Sequence, residues 1–241
     1  MFKLSLESFY NLLEHFDNYD PNSPIGKMRK QAWLEFLAPR KSLLGKKALE
    51  LACGGGILSF VLDELGLDVI GVDIQRSMIE KALEFGKRIG SRARFIQGDI
   101  KFVDLGEKFD SIFFVGNSII HFSIDDFEEV LKNVKKHLNP HGVFLIEYSD
   151  FIWEIFNRNI KSVPVSIKMD QYKLSYDPEK GCVCILIITK KVREDLYEAE
   201  KHCYYLWSPW ILEEIMTKNG FKKIERHFLK NNTYIDIYQL N

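Results

Sequence analysis

Three acidic residues and one run of glycines carry most of the chemistry in this chain. The stretch Ala48–Phe60 reads ALELACGGGILSF. Glu50 precedes the turn Cys53-Gly54-Gly55-Gly56, and Ile57, Leu58, Val61 and Leu62 open a helix behind it. A glycine turn between strand and helix lets a ligand approach the backbone where a side chain would stand in the way. A dinucleotide fingerprint needs G-x-G-x-x-G, but its third position here is Ser59. An acid ahead of the glycines suits a ligand that presents an ammonium group instead of a pyrophosphate. Asp73 stands at the end of the next strand pattern, where one carboxylate can accept both hydroxyls of a ribose. Gly98-Asp99-Ile100 offers a third acid that can accept from an adenine amino group while Ile100 packs on the ring. Farther on, Gly116-Asn117-Ser118-Ile119-Ile120-His121-Phe122 places a carboxamide and an imidazole together. His121 is the best candidate for a general base, with Tyr10 and Tyr19 behind it.

These groups need a scaffold that delivers strand ends to one rim. Residues 4–16 carry Leu6, Phe9, Tyr10, Leu13 and Phe16 at helical spacing, broken by the turn Asp20-Pro21-Asn22-Ser23-Pro24. A second helix follows over 26–38, with Met28, Trp33, Phe36 and Leu37. Strands at 47–52, 68–73, 93–97, 111–116 and 143–148 then alternate with helices at 56–66, 76–89 and 125–138. The last strand is entered through the turn Asn139-Pro140-His141-Gly142. That rhythm predicts an α/β fold whose parallel sheet is covered on both faces. Ligands of such sheets sit beyond the carboxyl ends of the strands, at the point where strand order reverses.

The tail changes character. Residues 163–176, 182–193 and 197–206 alternate as strands, the first two joined by Asp177-Pro178-Glu179-Lys180-Gly181. They read as an antiparallel layer inserted after strand five. A helix over 208–219, with Ser208 as N-cap and Pro209 in its first turn, ends at Gly220. Residues 221–229 and 233–240 form a closing hairpin about Asn231-Asn232. The expected organisation is one domain, with an N-terminal helical lid (1–38), a ligand-binding core (45–150), an inserted cap (151–206) and a final helix and hairpin (207–241). The aromatics Tyr204, Tyr205, Trp207 and Trp210 read as packing groups.

The combination of these motifs resembles the class I S-adenosylmethionine-dependent methyltransferases. The likeness spans 45–150 and, more loosely, the closing hairpin. The usual loop of that family is D/E-x-G-x-G-x-G, and Glu50-Leu51-Ala52-Cys53-Gly54-Gly55-Gly56 departs from it at Ala52. The resemblance implies a seven-stranded, mostly parallel, Rossmann-like sheet that binds S-adenosylmethionine. It puts Ala52, Cys53 and Gly54 along the methionine portion, Asp73 on the ribose, Asp99 and Ile100 on the adenine, and Ile74 and Met78 beside the base. Val115 closes the set at the end of strand four. The segment from Gly116 to Phe122 is similar to the GNSxxH segment of the glycine N-methyltransferase-like branch, which acts on small molecules. By that likeness Asn117 faces the substrate and His121 lies near the methionine part of the donor. An arginine pairing with the donor carboxylate would be Arg29, with Lys30 as rival, and Arg158 could meet an anionic acceptor. The [DNS]-P-P-[YFW] motif of amino methyltransferases acting on adenine and glutamine is missing.

Composition narrows the partners. With 33 basic and 34 acidic residues the net charge is −1, so no basic face promises binding to a phosphate backbone. Nucleic acid is therefore disfavoured and a small-molecule methyl acceptor favoured; a homo-oligomer is compatible with the sequence. No apolar run approaches about 18 residues, so no membrane span is expected, and the N-terminus does not read as a signal peptide. Cys53, Cys182, Cys184 and Cys203 show neither a disulfide framework nor a zinc pair. Reduced thiols and a cytoplasmic location are expected, with no metal. A nicotinamide-dependent oxidoreductase, a non-catalytic binder of the same fold, and a methyltransferase acting on protein or RNA are the competing readings.

Overall fold

In the computed structural model, residues 20–156, 172–193, 196–229 and 232–240 are described. The helix expected over 4–16, with Tyr10 and Tyr19, lies outside them, as do Arg158, residues 163–171 and Asn231.

Seven strands form one sheet in the order β3-β2-β1-β4-β5-β10-β9. These are β1 (Lys47–Leu51), β2 (Asp68–Asp73), β3 (Arg94–Gln97), β4 (Phe109–Phe114), β5 (Leu138–Ser149), β9 (Phe221–Leu229) and β10 (Thr233–Leu240). The first five are parallel, and β10 pairs antiparallel to both β5 and β9. The chain runs outward from β1 through β2 to β3, then returns to β4 on the other side of β1. Strand order therefore reverses at β1, and a crevice opens beyond its carboxyl end.

Both faces of the sheet's centre are buried because its strands carry apolar residues at successive positions, as in Val69-Ile70 of β2, Ile112-Phe113-Phe114 of β4 and Val143–Ile146 of β5. Leu49, Leu51, Ile70, Val72, Ile112, Phe114, Phe144 and Ile146 belong to one buried cluster. It includes Phe127, Val130, Leu131 and Val134 of α5 (Ile124–His137) and Leu212, Ile215 and Met216 of α7 (Pro209–Lys218). Ala48, Val69, Phe113, Leu145, Ile235 and Ile237 form the opposite cluster. That one takes Leu37 of α1 (Pro24–Leu37), Leu44 of α2 (Lys41–Leu44) and Leu58, Val61 and Leu62 of α3 (Ile57–Glu64). Helix α4 (Arg76–Ile89) buries Met78, Ile79, Ala82 and Phe85 on one stripe and ends at Gly90. Each fully buried Val, Leu, Ile, Phe or Met side chain among these contributes about 1.5–3 kcal/mol when removed from water.

A separate antiparallel sheet, β6-β7-β8, is made of β6 (Tyr172–Asp177), β7 (Cys182–Arg193) and β8 (Leu196–Tyr205). It follows β5 and the short helix α6 (Phe151–Phe156), which the sequence pattern does not reveal. Trp207 fastens this layer to the main sheet. Its indole is 1% exposed and its Nε1 donates to the Phe122 carbonyl at 3.0 Å.

Several expected boundaries move for local reasons. Helix α1 begins at Pro24, two residues early, because the Ser23 hydroxyl accepts from Gly26 N–H and caps it. Met28 lies on its wet side at 65% exposure. The expected turn at 139–142 is a bulge inside β5: Leu138 pairs with Phe109, and register shifts before Ser111 meets Val143. Strand β1 stops at Leu51, since Ala52 turns to φ +54°. Ser208 takes the N-cap position of α7, but no backbone N–H reaches its buried hydroxyl. Trp210 is 70% exposed and is no core residue.

The cysteines depart further from expectation. Cys184 and Cys203 are disulfide-bonded, while Cys53 and Cys182 keep their thiols. The pairing follows from register: β7 and β8 place Cys184 directly opposite Cys203. Nothing in the linear spacing announces it.

Gly71 tests the packing behind the loop. It sits on β2 beside Glu50, and a Cβ there would meet Cys53 Sγ, Phe95 Cδ1 and Ser59 Oγ, each at 2.9 Å. Gly71→Ala is expected to cost about 1–3 kcal/mol by overpacking. The melting temperature should fall by about 2–4 °C per kcal/mol. Thermal unfolding followed by circular dichroism checks this, and a variant melting within a degree of the parent would refute the contact.

Candidate active site

Beyond the carboxyl ends of β1, β2 and β4 lies a cavity of about 350 Å³, within the size range of small-ligand sites. Its floor is the loop after β1. Ala52 (φ +54°), Gly54 (φ +52°) and Gly56 (φ +83°) all adopt the left-handed region. Glycine is at ease there; Ala52 carries strain that the family's usual glycine would avoid. The tight turn is closed by Gly56 N–H donating to the Cys53 carbonyl at 3.0 Å, while Cys53 N–H donates to Val72.

Asp73 ends β2 and holds this loop from the side. Its Oδ2 accepts from Gly54 N–H at 2.8 Å and its Oδ1 from Gln75 N–H at 2.9 Å. The Ile74 backbone N–H also reaches this carboxylate, which keeps accepting capacity for a ligand hydroxyl. Burial raises the Asp73 carboxyl above its ordinary range, partly offset by those backbone N–H groups.

Glu50 is the more strained acid. It is 3% exposed and accepts from the Ser59 hydroxyl at the start of α3. Burial pushes its carboxyl up to about 8, against an ordinary 4.5, although Ser59 opposes the shift. The Cys53 thiol is pushed well above its ordinary value, chiefly by burial and then by Glu50. Asp99 caps a different turn, accepting from Lys101 N–H at 2.9 Å, and Ile100 is buried beside it.

The cavity brings together Arg29, Glu50, Ala52, Cys53, Gly54, Asp73, Ile74, Met78, Asp99, Ile100, Val115 and His121. Lys30, the rival of Arg29, points to Glu64 of α3 at 3.4 Å. Ile57 and Leu58 behind the glycine turn and Gly116, Ser118 and Phe122 of the segment after β4 also line it, as do Trp33, Gln75, Lys101 and Cys203, to which the sequence reading gave no site role. Gln75 had a signal, being two residues beyond Asp73. Cys203 had none, because chain folding alone places it there.

Asn117 is different. It takes φ +57° and its Oδ1 accepts from Ser149 N–H at 3.0 Å, tying the segment after β4 to the end of β5. It is not among the residues lining the cavity. Its neighbour His121 ends a 3-10 turn, Ser118–His121, and does face the cavity. The imidazole packs against the buried Tyr204 ring at 5.7 Å between centroids.

Residues 48–142 match a protein-family model described as a methyltransferase domain. Over those residues the chain carries a methyltransferase domain, and S-adenosylmethionine is the donor of that family. Among its relatives is a glycine/sarcosine N-methyltransferase of Halorhodospira halochloris, 31% identical over 119 residues. That match covers 48% of this chain and 44% of the relative. The chain spans about half the length of the curated relatives it matches. A crystal structure of a Pyrococcus horikoshii OT3 protein aligns at TM-score 0.77 and 29% identity, covering 98% of this chain and 100% of the other. A methyltransferase structure from Clostridium acetobutylicum ATCC 824 shares the fold at TM-score 0.69 and 17% identity, over 97% and 99%. The groups along the methyltransferase cavity fit the donor: paired acids with spare lone pairs, a side-chain-poor loop and apolar walls at Met78 and Ile100.

Two outcomes follow. Asp73→Asn removes a charge-assisted acceptor worth about 1.5–3 kcal/mol. S-adenosylhomocysteine should then bind about 10–150-fold more weakly by calorimetry, and an unchanged affinity would exclude Asp73 from the contact. For Glu50, the folded protein holds a proton that the unfolded chain gives up above about 4.5. Ligand-free stability should therefore fall as pH rises from about 4.5 to 8, then level. Glu50→Gln should flatten that part of the melting profile. A variant that keeps the parental slope would show that another group is responsible.

Proposed function

We propose that this chain moves a methyl group from S-adenosylmethionine to a small-molecule acceptor by in-line displacement. One observation carries the reading: every residue assigned to the donor from sequence lines a single cavity at the switch point of the sheet. Arg29 takes the donor carboxylate, Glu50 the ammonium, and Ala52, Cys53 and Gly54 the methionine chain. Asp73 takes the ribose hydroxyls, Asp99 the adenine amino group, with Ile74, Met78, Ile100 and Val115 as apolar walls.

When bound, the sulfonium supplies a methyl group that is already activated. The protein's task is to hold the acceptor atom on axis, about 3–3.5 Å from its target, and to keep water away. Trp33 and Phe122 furnish ring faces on the cavity wall that tolerate positive charge. His121 takes the proton of an acceptor that arrives protonated. Asn117 acts one step back, by fixing through Ser149 the turn that presents His121.

The expected lid and cap reach this cavity through Arg29, Trp33 and Cys203, and the cap sets the acceptor. The near-neutral charge favours a small acceptor over RNA. The relative named as acting on glycine and sarcosine makes amines the first acceptors to try. A cytoplasmic location has to accommodate the Cys184–Cys203 bond, as intracellular proteins of hyperthermophiles do.

Release of S-adenosylhomocysteine across a panel of small amines and phenols tests the reading. With an acceptor found, His121→Asn should lower kcat about 10²–10⁴-fold and leave S-adenosylhomocysteine affinity nearly intact. No binding of that product at millimolar concentration would end the assignment. Equal loss of kcat and affinity would make His121 a donor contact instead of a base.

A further inference from the structure

Three of the four cysteines gather in the cap sheet, where methyl transfer has no use for them. The sulfurs of Cys182, Cys184 and Cys203 lie within 4.8 Å of one another. Cys184 and Cys203 are bonded, and the Cys182 sulfur stands 3.8 Å from that of Cys184. Their access to solvent differs. Cys182 and Cys184 are each 1% exposed. Cys203 is half-buried and lines the same cavity as His121 and Phe122.

Thiol–disulfide exchange needs a thiolate to reach one sulfur of the bond. Cys184 is buried, so the sulfur of this bond that a soluble attacker meets is Cys203, and among the described residues its open side is the cavity it lines. We propose that Cys184–Cys203 is a redox-exchange site for low-molecular-weight dithiols, entered through the donor cavity and shielded when that cavity is filled. This rests on the donor reading given above.

The chemistry closes on itself. A dithiol thiolate attacks Cys203 Sγ, a new S–S bond forms, and the bond to Cys184 breaks. Cys184 leaves as a thiolate and collects the proton that the dithiol released. Cys182, 3.8 Å away, offers its S–H to that thiolate as it forms. The second dithiol sulfur then attacks the mixed disulfide, so Cys203 departs and is protonated in turn. Two electrons and two protons have moved to Cys184 and Cys203, and the dithiol has become a disulfide.

By linkage, a ligand that covers Cys203 slows the exchange in proportion to its occupancy. The geometry also separates this site from an exposed structural disulfide, whose reduction would ignore the cavity.

The test measures reduction of the oxidised full-length chain by dithiothreitol, quenched by alkylation and read by mass spectrometry. Calorimetry in the same buffer first establishes whether S-adenosylhomocysteine binds. If it binds, saturating S-adenosylhomocysteine should slow reduction at least about tenfold, and Cys182→Ala should slow the ligand-free reaction several-fold. Binding with no protection overturns the proposal and leaves the donor reading standing. No binding overturns the donor reading, and the exchange site is then judged on attacker size. Relative to an exposed reference disulfide, a thioredoxin-sized dithiol should react far more slowly than dithiothreitol, and equal relative rates overturn the proposal. A purified chain with three reduced thiols and one zinc per molecule would also overturn it.

Discussion

The site depends on two carboxylates carried into a dry rim and left short of partners. Glu50 and Asp73 sit at adjoining strand ends, 3% and 7% exposed. Burial of a charge is expensive unless opposite charge or hydrogen bonds meet it. Asp73 is met by the backbone N–H groups of Gly54, Ile74 and Gln75, and Glu50 by the hydroxyl and backbone N–H of Ser59. On the proposed reading, their remaining capacity is what a cationic, hydroxyl-rich nucleoside would complete. The rest of the sheet serves to hold them: β1 and β2 pair so that Glu50 faces Gly71, where a side chain would collide with Cys53 and Ser59.

That arrangement accounts for where the loop is rigid and where it is bare. The positive φ angles at Ala52, Gly54 and Gly56 turn the chain sharply enough to aim backbone N–H groups at Asp73 and at the turn's own carbonyl. Ala52 shows that the shape is imposed by its surroundings and not by residue preference, since an alanine accepts the same conformation at a cost. The opposite wall comes from elsewhere in the chain. Trp207 pins the cap to Phe122, and the Tyr204 ring backs His121, so cap and core meet beside His121.

Much of this was legible in the sequence where the cause is local. Glu50, the glycine turn, Asp73 and Asp99 each lie at the end of an apolar run, and strand ends of a parallel sheet converge on one rim. The seven strands were legible for the same reason, including the closing hairpin. What escaped has non-local causes. The Cys184–Cys203 bond depends on the register of β7 against β8. The bulge at 139–142 depends on Leu138 finding Phe109 across the sheet. Asn117 looked like a ligand contact by its place in a motif, yet its carboxamide is engaged by Ser149, 32 residues on. Cys203 reaches the cavity only because β8 folds back over the segment after β4.

The central claim is that Glu50 waits, protonated, for a ligand cation. Its carboxyl stands at about 8 without ligand, so an ammonium group drawn beside it should expel the proton. Calorimetric binding of S-adenosylhomocysteine at pH 7, repeated in buffers of different ionisation enthalpy, counts protons directly. The account predicts release of close to one proton per site, vanishing in Glu50→Gln. Tight binding with no proton released, in the parent and the variant alike, would contradict it.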